Sequence, residues 1–223
     1  MQSYDQAISS SQASVVSTNK VLKNTYLLLS ATLAFSALMA VVSMFLVVPV
    51  WTYYAALIGS MVLGMFVLPR TANSAAGIGV IFLITGMLGF GLGAMLILYM
   101  AMPNGPQIIG TAFGGTAAIF LGLSGYALTT KRDFSFMGGF LMAGMMAVLV
   151  AIIGNLFFQI PALSMAISSV VILLMSGFIL FDTSRIIRGG ETNYIMATYG
   201  LYLSIFNIFI HLLSLLGALS GDD

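Results

Sequence analysis

Few side chains in this sequence could carry out chemistry, and they are widely separated along the chain. The 223 residues contain one histidine, His211, no cysteine, and only seven basic and six acidic side chains. Ser124 lies in Gly122-Leu123-Ser124-Gly125, which matches the GxSG pattern of rhomboid-type intramembrane proteases. Asp182 closes the very apolar run VVILLMSGFILF. Acidic groups in such a setting are usually functional or paired.

The serine-protease interpretation depends on whether Ser124 and His211 can meet. At a rise of about 1.5 Å per residue, Ser124 lies roughly 9 Å, and His211 roughly 25 Å, from the same end of the predicted bundle. A catalytic serine–histidine hydrogen bond needs about 3 Å, so this activity is only a remote alternative. A retinal protein is excluded because the last apolar segment has no lysine for a Schiff base.

His211 has no second ligand at metal-binding spacing, because the nearby Ser204 and Asn207 are poor zinc ligands. The sequence therefore predicts no metal site, no cofactor and no catalytic residue. We expect His211 to be hydrogen-bonded to a neighbouring helix, with Asn155 and Gln159 as candidate partners.

Asp182 has two candidate cationic partners. Arg185 is three residues on, on the same face of a helix, and Arg70 lies at the same end of the predicted bundle. Either pair could simply anchor the helix end. A functional carboxylate that senses pH or an ion is the alternative, and the sequence leaves both open.

A polar stripe runs along the last apolar segment. Its members recur at spacings of three and four residues: Asn193, Ala197, Gly200, Ser204, Asn207, His211 and Ser214. Such residues share one face of a helix, and that face must avoid hydrocarbon. We therefore predict that this helix lies at the centre, with the other helices around it.

The composition identifies an integral membrane protein, since 60% of the residues are hydrophobic and 6% are charged. The chain has no basic cluster that could bind nucleic acid. About 20 apolar residues cross a bilayer, and seven segments meet this condition. They are Thr25–Val48, Val50–Leu68, Ala75–Ala101, Gln107–Thr129, Phe136–Phe158, Leu163–Phe181 and Tyr194–Leu219. The predicted fold is an all-α bundle of seven transmembrane helices.

The basic residues all fall at one side of these spans, which predicts a cytoplasmic N-terminus and an external C-terminus at residues 220–223. Residues 1–24 are polar and serine-rich, and we expect them to form a flexible cytoplasmic tail. Small residues repeat along three spans and predict close helix packing. These are Gly86, Gly89 and Gly93; Gly110, Gly114, Ala118 and Gly122; and Ala143, Ala147 and Ala151.

Several separated segments resemble the Bax inhibitor-1 family of membrane proteins, and within it the bacterial YccA-like branch. They are NTYLLLSATLAFSA (24–37), FSFMGGFLMAG (134–144), ILFDTSRII (179–187), GGETNYI (189–195) and LYLSIFNIFIHLLSLLG (201–217). The resemblance implies six helices around a central seventh and a bacterial inner-membrane location.

Two activities follow from the resemblance. YccA-like proteins are associated with the membrane AAA protease FtsH, as substrate and modulator. Other members are described as pH-sensitive calcium leak channels, gated by two aspartates. Asp182 matches the first aspartate, but Ser204 stands at the second. Because a single carboxylate loses the coupled titration and half of the charge for Ca²⁺, protease modulation is the preferred expectation, and the calcium leak is the alternative.

The topology can be tested by reporter fusion. A reporter joined after Asp223 should be active only if it is of the type that works outside the cytoplasm, because the charge distribution places this end there. Fusions after Arg132, at the predicted cytoplasmic side, serve as the control and should show the opposite behaviour. A cytoplasmic signal at Asp223 would contradict the seven-span topology.

Overall fold

The computed structural model describes residues 2–130 and 132–220, with side chains from Thr18 onward. This part of the chain forms seven long helices joined by short connections and contains no β-strand. The helices are α1 (Gln2–Leu46), α2 (Trp51–Thr71), α3 (Ala75–Met100), α4 (Gly105–Thr130), α5 (Gly138–Phe158), α6 (Pro161–Ile187) and α7 (Tyr194–Ser220).

All seven helices are long and apolar enough to cross a membrane, which confirms the predicted number of spans. The largest difference is at α1, which is helical from Gln2, whereas the span was predicted to begin at Thr25. Neither glycine nor proline occurs before Pro49, so nothing in the sequence interrupts this helix. The mobility predicted for residues 1–24 stays a prediction, and residues 221–223 of the predicted C-terminus lie outside the described residues.

Helix α2 changes its hydrogen-bonding pattern shortly before Pro69. Leu63–Val67 is π-helical, and the amide of Leu68 donates to the carbonyl of Leu63, five residues back. Proline has no amide hydrogen, so a regular α-helix could not continue its hydrogen-bond ladder through this position. The wider turn absorbs that defect, and the helix then continues to Thr71.

The helices form an inner and an outer group. Helix α7 packs directly against α1, α3, α4 and α6, whereas α2 packs mainly on α3, and α5 on α6. Helices α3, α6 and α7 carry the most buried positions, while α5 buries only Leu141 and Val148. The inward position of α7 agrees with its polar stripe, but the full arrangement of six helices around one stays a prediction.

The predicted close packing through small residues is confirmed for α3. A Cβ atom on Gly89 would lie 2.1 Å from the carbonyl oxygen of Ser36 in α1, and one on Gly93 would lie 2.4 Å from that of Ala40. The backbones of α1 and α3 are therefore in contact.

The same prediction is wrong for α4. Gly110, Gly114 and Gly122 are exposed, and a Cβ atom on any of them would meet nothing within 4 Å among the described residues. On α5, Ala143 and Ala147 are exposed as well. A spacing of four residues defines one helix face, but it does not determine whether that face meets protein or lipid.

The connection between α4 and α5 is fixed to the end of α6. The amide of Phe134 donates to Ser184 Oγ at 3.1 Å, and the Arg188 guanidinium lies 3.7 Å from the Asp133 carboxylate. Hydrogen bonds from Ser135 hold the pKa of the Asp133 carboxyl below its usual range. The ends of α4 and α6 that carry basic residues are thereby joined.

Candidate functional site around Asp182

Asp182 lies within α6, more than one turn before the helix ends at Ile187, and faces α7. The contact is close, because a Cβ atom added to Gly200 would lie 2.9 Å from Asp182 Oδ2. A glycine at this position of α7 therefore gives the carboxylate its space. Beside the contact is a cavity of about 200 Å³. Its lining consists of Asp182, Arg185, Ile186, Glu191, Met196, Ala197, Tyr199 and Gly200.

Asp182 forms no salt bridge with Arg185, the first of its two candidate partners. Arg185 instead lies 3.6 Å from the Glu191 carboxylate, donates to the carbonyl of Gly190 at 3.3 Å and covers the ring of Phe181. None of the described basic side chains forms an ion pair with Asp182.

The loop after α6 explains this change of partner. Gly189 adopts a positive φ of 72°, a conformation that glycine tolerates well. The turn folds the chain back and brings Glu191 to the guanidinium of Arg185. Arg185 still lines the cavity, so its charge is near Asp182 without touching it.

Arg70 does not reach the cavity either. It is exposed, and its guanidinium donates to the carbonyl of Phe66 in its own helix. The second candidate partner of Asp182 is thus also occupied elsewhere, and Asp182 is half-buried beside a glycine rather than in a salt bridge.

Ser204 lies one helical turn beyond Gly200 on α7 and is buried. Its hydroxyl donates to the carbonyl of Gly200 at 3.1 Å, so it is committed to its own helix. This is the position where the resemblance implies a second aspartate. Among the described residues, no group of three histidine or acidic side chains could hold a metal ion. Two carboxylates line the cavity: Asp182, which has no ion pair with a described basic residue, and Glu191, which is paired with Arg185.

Asn193 fixes the start of α7. Its Oδ1 accepts hydrogen bonds from the amides of Ile195 and Met196 at 2.9 and 3.1 Å, which caps the helix. Its Nδ2 donates to the carbonyl of Ala72 at 3.0 Å and to Asn73 Oδ1 at 2.8 Å. One side chain thus both starts α7 and ties it to the end of α2.

The other end of the polar stripe is also satisfied by protein. His211 Nδ1 lies 3.1 Å from Ser168 Oγ of α6, and Asn207 Nδ2 donates to the carbonyl of Leu203 at 2.8 Å. The expected bond from His211 to a neighbouring helix is present, but its partner differs from the one predicted. Asn155 instead donates to Ser164 at 2.6 Å, and Gln159 follows the end of α5 with a positive φ.

Ser124 and His211 do not form a catalytic pair. Ser124 shares a hydrogen bond with the hydroxyl of Tyr26 in α1, while His211 is bonded to Ser168. The hydroxyl that would act as nucleophile therefore joins α4 to α1, and the geometry supports a structural role.

One polar group that the sequence reading missed is Tyr202 of α7. Its side chain is almost fully buried at 1% exposure, and its hydroxyl lies 2.6 Å from Ser36 Oγ in α1. The same hydroxyl donates to the carbonyl of Thr85 in α3 at 3.3 Å. The regular spacing of hydroxyl residues on α1 was a signal that could have revealed this contact.

Seven apolar helices with an internal polar stripe and no catalytic constellation among the described residues define a polytopic helical membrane protein. A family model described as inhibitor of apoptosis-promoting Bax1 matches residues 18–221. The chain belongs to this Bax inhibitor family, as the resemblance in its sequence had implied.

Individual relatives match over nearly their full length. A protein of Escherichia coli strain K12, named modulator of FtsH protease YccA, is 51% identical over 220 residues, which are 98% of this chain and 100% of the relative. A protein of E. coli O6:H1 with the same identity and coverage is named inner membrane protein YccA. A membrane protein of Vibrio cholerae is 49% identical and covers 96% of both chains.

The contact between Gly200 and Asp182 can be tested by a double-mutant cycle. Gly200→Ala should lower the free energy of unfolding by about 1–3 kcal/mol, because the added methyl group displaces the carboxylate. In an Asp182→Ala background the collision is absent, and the same change should cost at least ~0.5 kcal/mol less. Unfolding in a detergent titration measures all four proteins.

Asp182→Asn provides the matched control, because asparagine keeps the shape and loses the charge. Gly200→Ala should cost as much in this background as in the unmodified chain. An equal cost of Gly200→Ala in all three backgrounds would show that the two residues are not in contact.

Proposed function

We propose that this protein modulates the membrane AAA protease FtsH, acting as a substrate that resists extraction and thereby occupies the enzyme. The observation that carries the proposal is the 51% identity, over almost the whole of both chains, to a relative named as a modulator of this protease. The proposed location is a bacterial inner membrane, which agrees with the name of a second relative.

The proposed orientation places the N-terminus in the cytoplasm and the C-terminus in the periplasm. Described basic residues lie at the same ends of the helices: Lys20 and Lys23 in α1, Arg70 in α2, Arg132 after α4, and Arg185 and Arg188 at the end of α6. The hydrogen bond from Asn193 to the end of α2 and the Arg188–Asp133 pair support a common face. Positive residues collect on the cytoplasmic side of bacterial membranes.

In this mechanism the two parts of the chain have different tasks. Residues 1–17 contain polar side chains and one charged residue, Asp5, and serve as the segment that the protease seizes. The seven-helix body behind them opposes unfolding. A protease that pulls on a tightly packed body hydrolyses ATP while it remains bound to this chain. During that time it is unavailable to other substrates.

The site around Asp182 supports modulation over the alternative of a pH-sensitive calcium leak. Ca²⁺ is bound by six to eight oxygen ligands in proteins, several of them carboxylates. At the position where the resemblance implies a second aspartate, Ser204 offers a hydroxyl that already donates to Gly200. Two close carboxylates that titrate together are therefore absent at these two positions. The other carboxylate of the cavity, Glu191, is paired with Arg185.

The first test removes the segment that the protease is proposed to pull, residues 1–17, which we call the handle. Deletion of residues 2–17 should leave a folded membrane protein that FtsH degrades at least about tenfold more slowly, because the enzyme has lost the segment it pulls. The measurement is the half-life of the chain with the purified protease and ATP. Co-purification of the full-length protein with the protease from native membranes checks the association itself.

A matched control replaces residues 2–17 with an unrelated polar segment of equal length. This variant should be degraded at the original rate if the segment acts as a handle and carries no specific signal. If the deletion variant is degraded, and inhibits the enzyme, as well as the full-length protein does, the proposed role of the N-terminal segment is wrong.

A second test separates modulation from the calcium leak. In liposomes the unmodified chain should show little Ca²⁺ flux at either pH 6 or pH 8, whereas Ser204→Asp should create an acid-sensitive flux by supplying the second carboxylate. Ser204→Asn is the control that adds bulk without charge. Strong acid-sensitive flux in the unmodified chain, lost in Asp182→Asn, would reverse the ranking of the two functions.

A further inference from the structure

Helix α1 presents a regular face of small and hydroxyl-bearing residues to the bundle. Its members are spaced by three and four residues, and each is at most 6% exposed: Thr25, Leu29, Thr32, Ser36, Ala40 and Ser43. This face extends from Thr25 to Ser43, within the membrane-spanning part of α1 at Thr18–Leu46. In a membrane, polar hydroxyls turned away from lipid need partners within the protein. Thr25 and Thr32 donate to carbonyls of α1 itself at 2.8 and 3.0 Å, whereas the hydroxyl of Ser36 bonds to another helix.

The first kind of contact that this face makes is close packing against the backbone of α3. Gly89 and Gly93 bring α3 so near that an added Cβ atom on either would collide with a carbonyl oxygen of α1, at 2.1 and 2.4 Å. These atoms belong to rigid helices and not to the flexible end of a side chain. The short distance between α1 and α3 is thus possible only because Gly89 and Gly93 have no side chains.

The second kind of contact that α1 makes is a set of hydrogen bonds with other helices. Tyr202 of α7 bonds to Ser36 at 2.6 Å and donates to the carbonyl of Thr85 at 3.3 Å, so that one hydroxyl joins α1, α7 and α3. Thr198 of α7 donates to the carbonyl of Thr25 in α1 at 3.2 Å. Nearer the N-terminal end, Tyr26 is bonded to Ser124 of α4.

From these contacts we infer that α1, whose N-terminal part is the proposed handle, is held by a clamp, and that this clamp decides whether FtsH destroys the chain or is stalled by it. We define the α1 clamp as Ser36, Gly89, Gly93 and Tyr202. The inference rests on the proposed function, because it concerns the same pulled N-terminal segment. It goes further by assigning the resistance to one helix and to particular residues.

The physical reason is the order in which the parts of the chain meet the pulling force. A force applied to the chain before Thr18 acts on α1 itself before it reaches any other helix. To leave the bundle, α1 must break its close packing on α3 and its contacts with α7. Ser36 must then lose its hydrogen bond to Tyr202 in a medium without water. Contacts on α5, which packs on α6 at the outside, come under load only later.

The test compares variants that weaken the α1 clamp with variants that weaken packing elsewhere. Ser36→Ala and Tyr202→Phe each remove a hydroxyl and retain most of the side-chain volume. Gly89→Ala pushes α1 and α3 apart. The readouts are the rate at which FtsH with ATP degrades the chain in proteoliposomes, and the inhibition of degradation of a second membrane substrate.

Ser36→Ala should be degraded about threefold faster than the unmodified chain. An interhelical hydrogen bond in a membrane contributes ~0.6 kcal/mol on average, and losing that free energy corresponds to a rate factor of about three. Tyr202→Phe should be degraded about three- to tenfold faster because it loses two partners, and Gly89→Ala at least about tenfold faster. Each of these variants should lose inhibition of the second substrate in proportion.

The controls use the same substitutions at other places. Gly144→Ala disturbs packing between α5 and α6, since its Cβ atom would lie 2.6 Å from Leu174. Gly110→Ala meets nothing within 4 Å among the described residues, and Tyr54→Phe alters an exposed ring. All three should remain near the original rate of degradation.

The inferred role of the α1 clamp is wrong if folded Ser36→Ala and Tyr202→Phe are degraded at the original rate. It is also wrong if Gly144→Ala is degraded as fast as Gly89→Ala. The second result would mean that overall stability, and not α1, sets the resistance. If Gly89→Ala does not fold, the two hydroxyl variants decide. If FtsH does not bind the unmodified chain and the chain does not inhibit FtsH, the proposed function is wrong. The inference, which rests on that function, would then be wrong as well.

Discussion

The contact between the backbones of α1 and α3 sets the geometry on which the inner part of the bundle depends. Lipid chains are as apolar as leucine, so helices in a membrane associate through close packing and hydrogen bonds. Gly89 and Gly93 permit the approach, and Tyr202 then spans both helices with one hydroxyl. If α1 and α3 were separated by ordinary side chains, that hydroxyl could not satisfy Ser36 and Thr85 together.

The same principle operates between α6 and α7, with a different chemical result. Gly200 leaves room for a carboxylate inside an otherwise apolar span, and the arginine expected to neutralise it is held by Glu191. The bundle therefore retains a half-buried acid beside a small cavity. Ser204 fills the neighbouring position with a hydroxyl that its own helix satisfies. Close packing at one glycine thus preserves an acidic site while the adjacent residue limits what that site can do.

The number and approximate limits of the spans could be predicted because hydrophobic length follows directly from the thickness of the bilayer. The inward direction of the α7 stripe could be predicted for a similar reason, since Asn193 and His211 have no partners in lipid. The absence of an arginine partner at Asp182 could not be predicted. Both Arg185 and Glu191 were visible in the sequence, but only the turn at Gly189 shows that they meet.

Small-residue spacing predicted close helix packing correctly on α3 and incorrectly on α4. The glycines of α3 and those of α4 have similar spacing, yet the first group contacts α1 and the second faces outward. What distinguishes them is the partner surface: α1 carries a matching face of Ser36, Ala40 and Ser43. A single helix does not contain that information, and a search for complementary small-residue faces on two helices would have found it.

Because the contacts of the α1 clamp lie on the first helix, resistance to extraction by a protease should not simply follow the free energy of unfolding of the whole protein. The equilibrium free energy of unfolding sums contributions from every helix, including α5, which buries little. A protease that pulls from one end works against the helices in sequence, so its rate depends on the local cost of releasing the first of them. In this chain the first helix is also among those most fully tied to its neighbours. A protein of ordinary overall stability could therefore stall an unfolding enzyme, provided that its strongest interhelical contacts lie nearest to the point of attack.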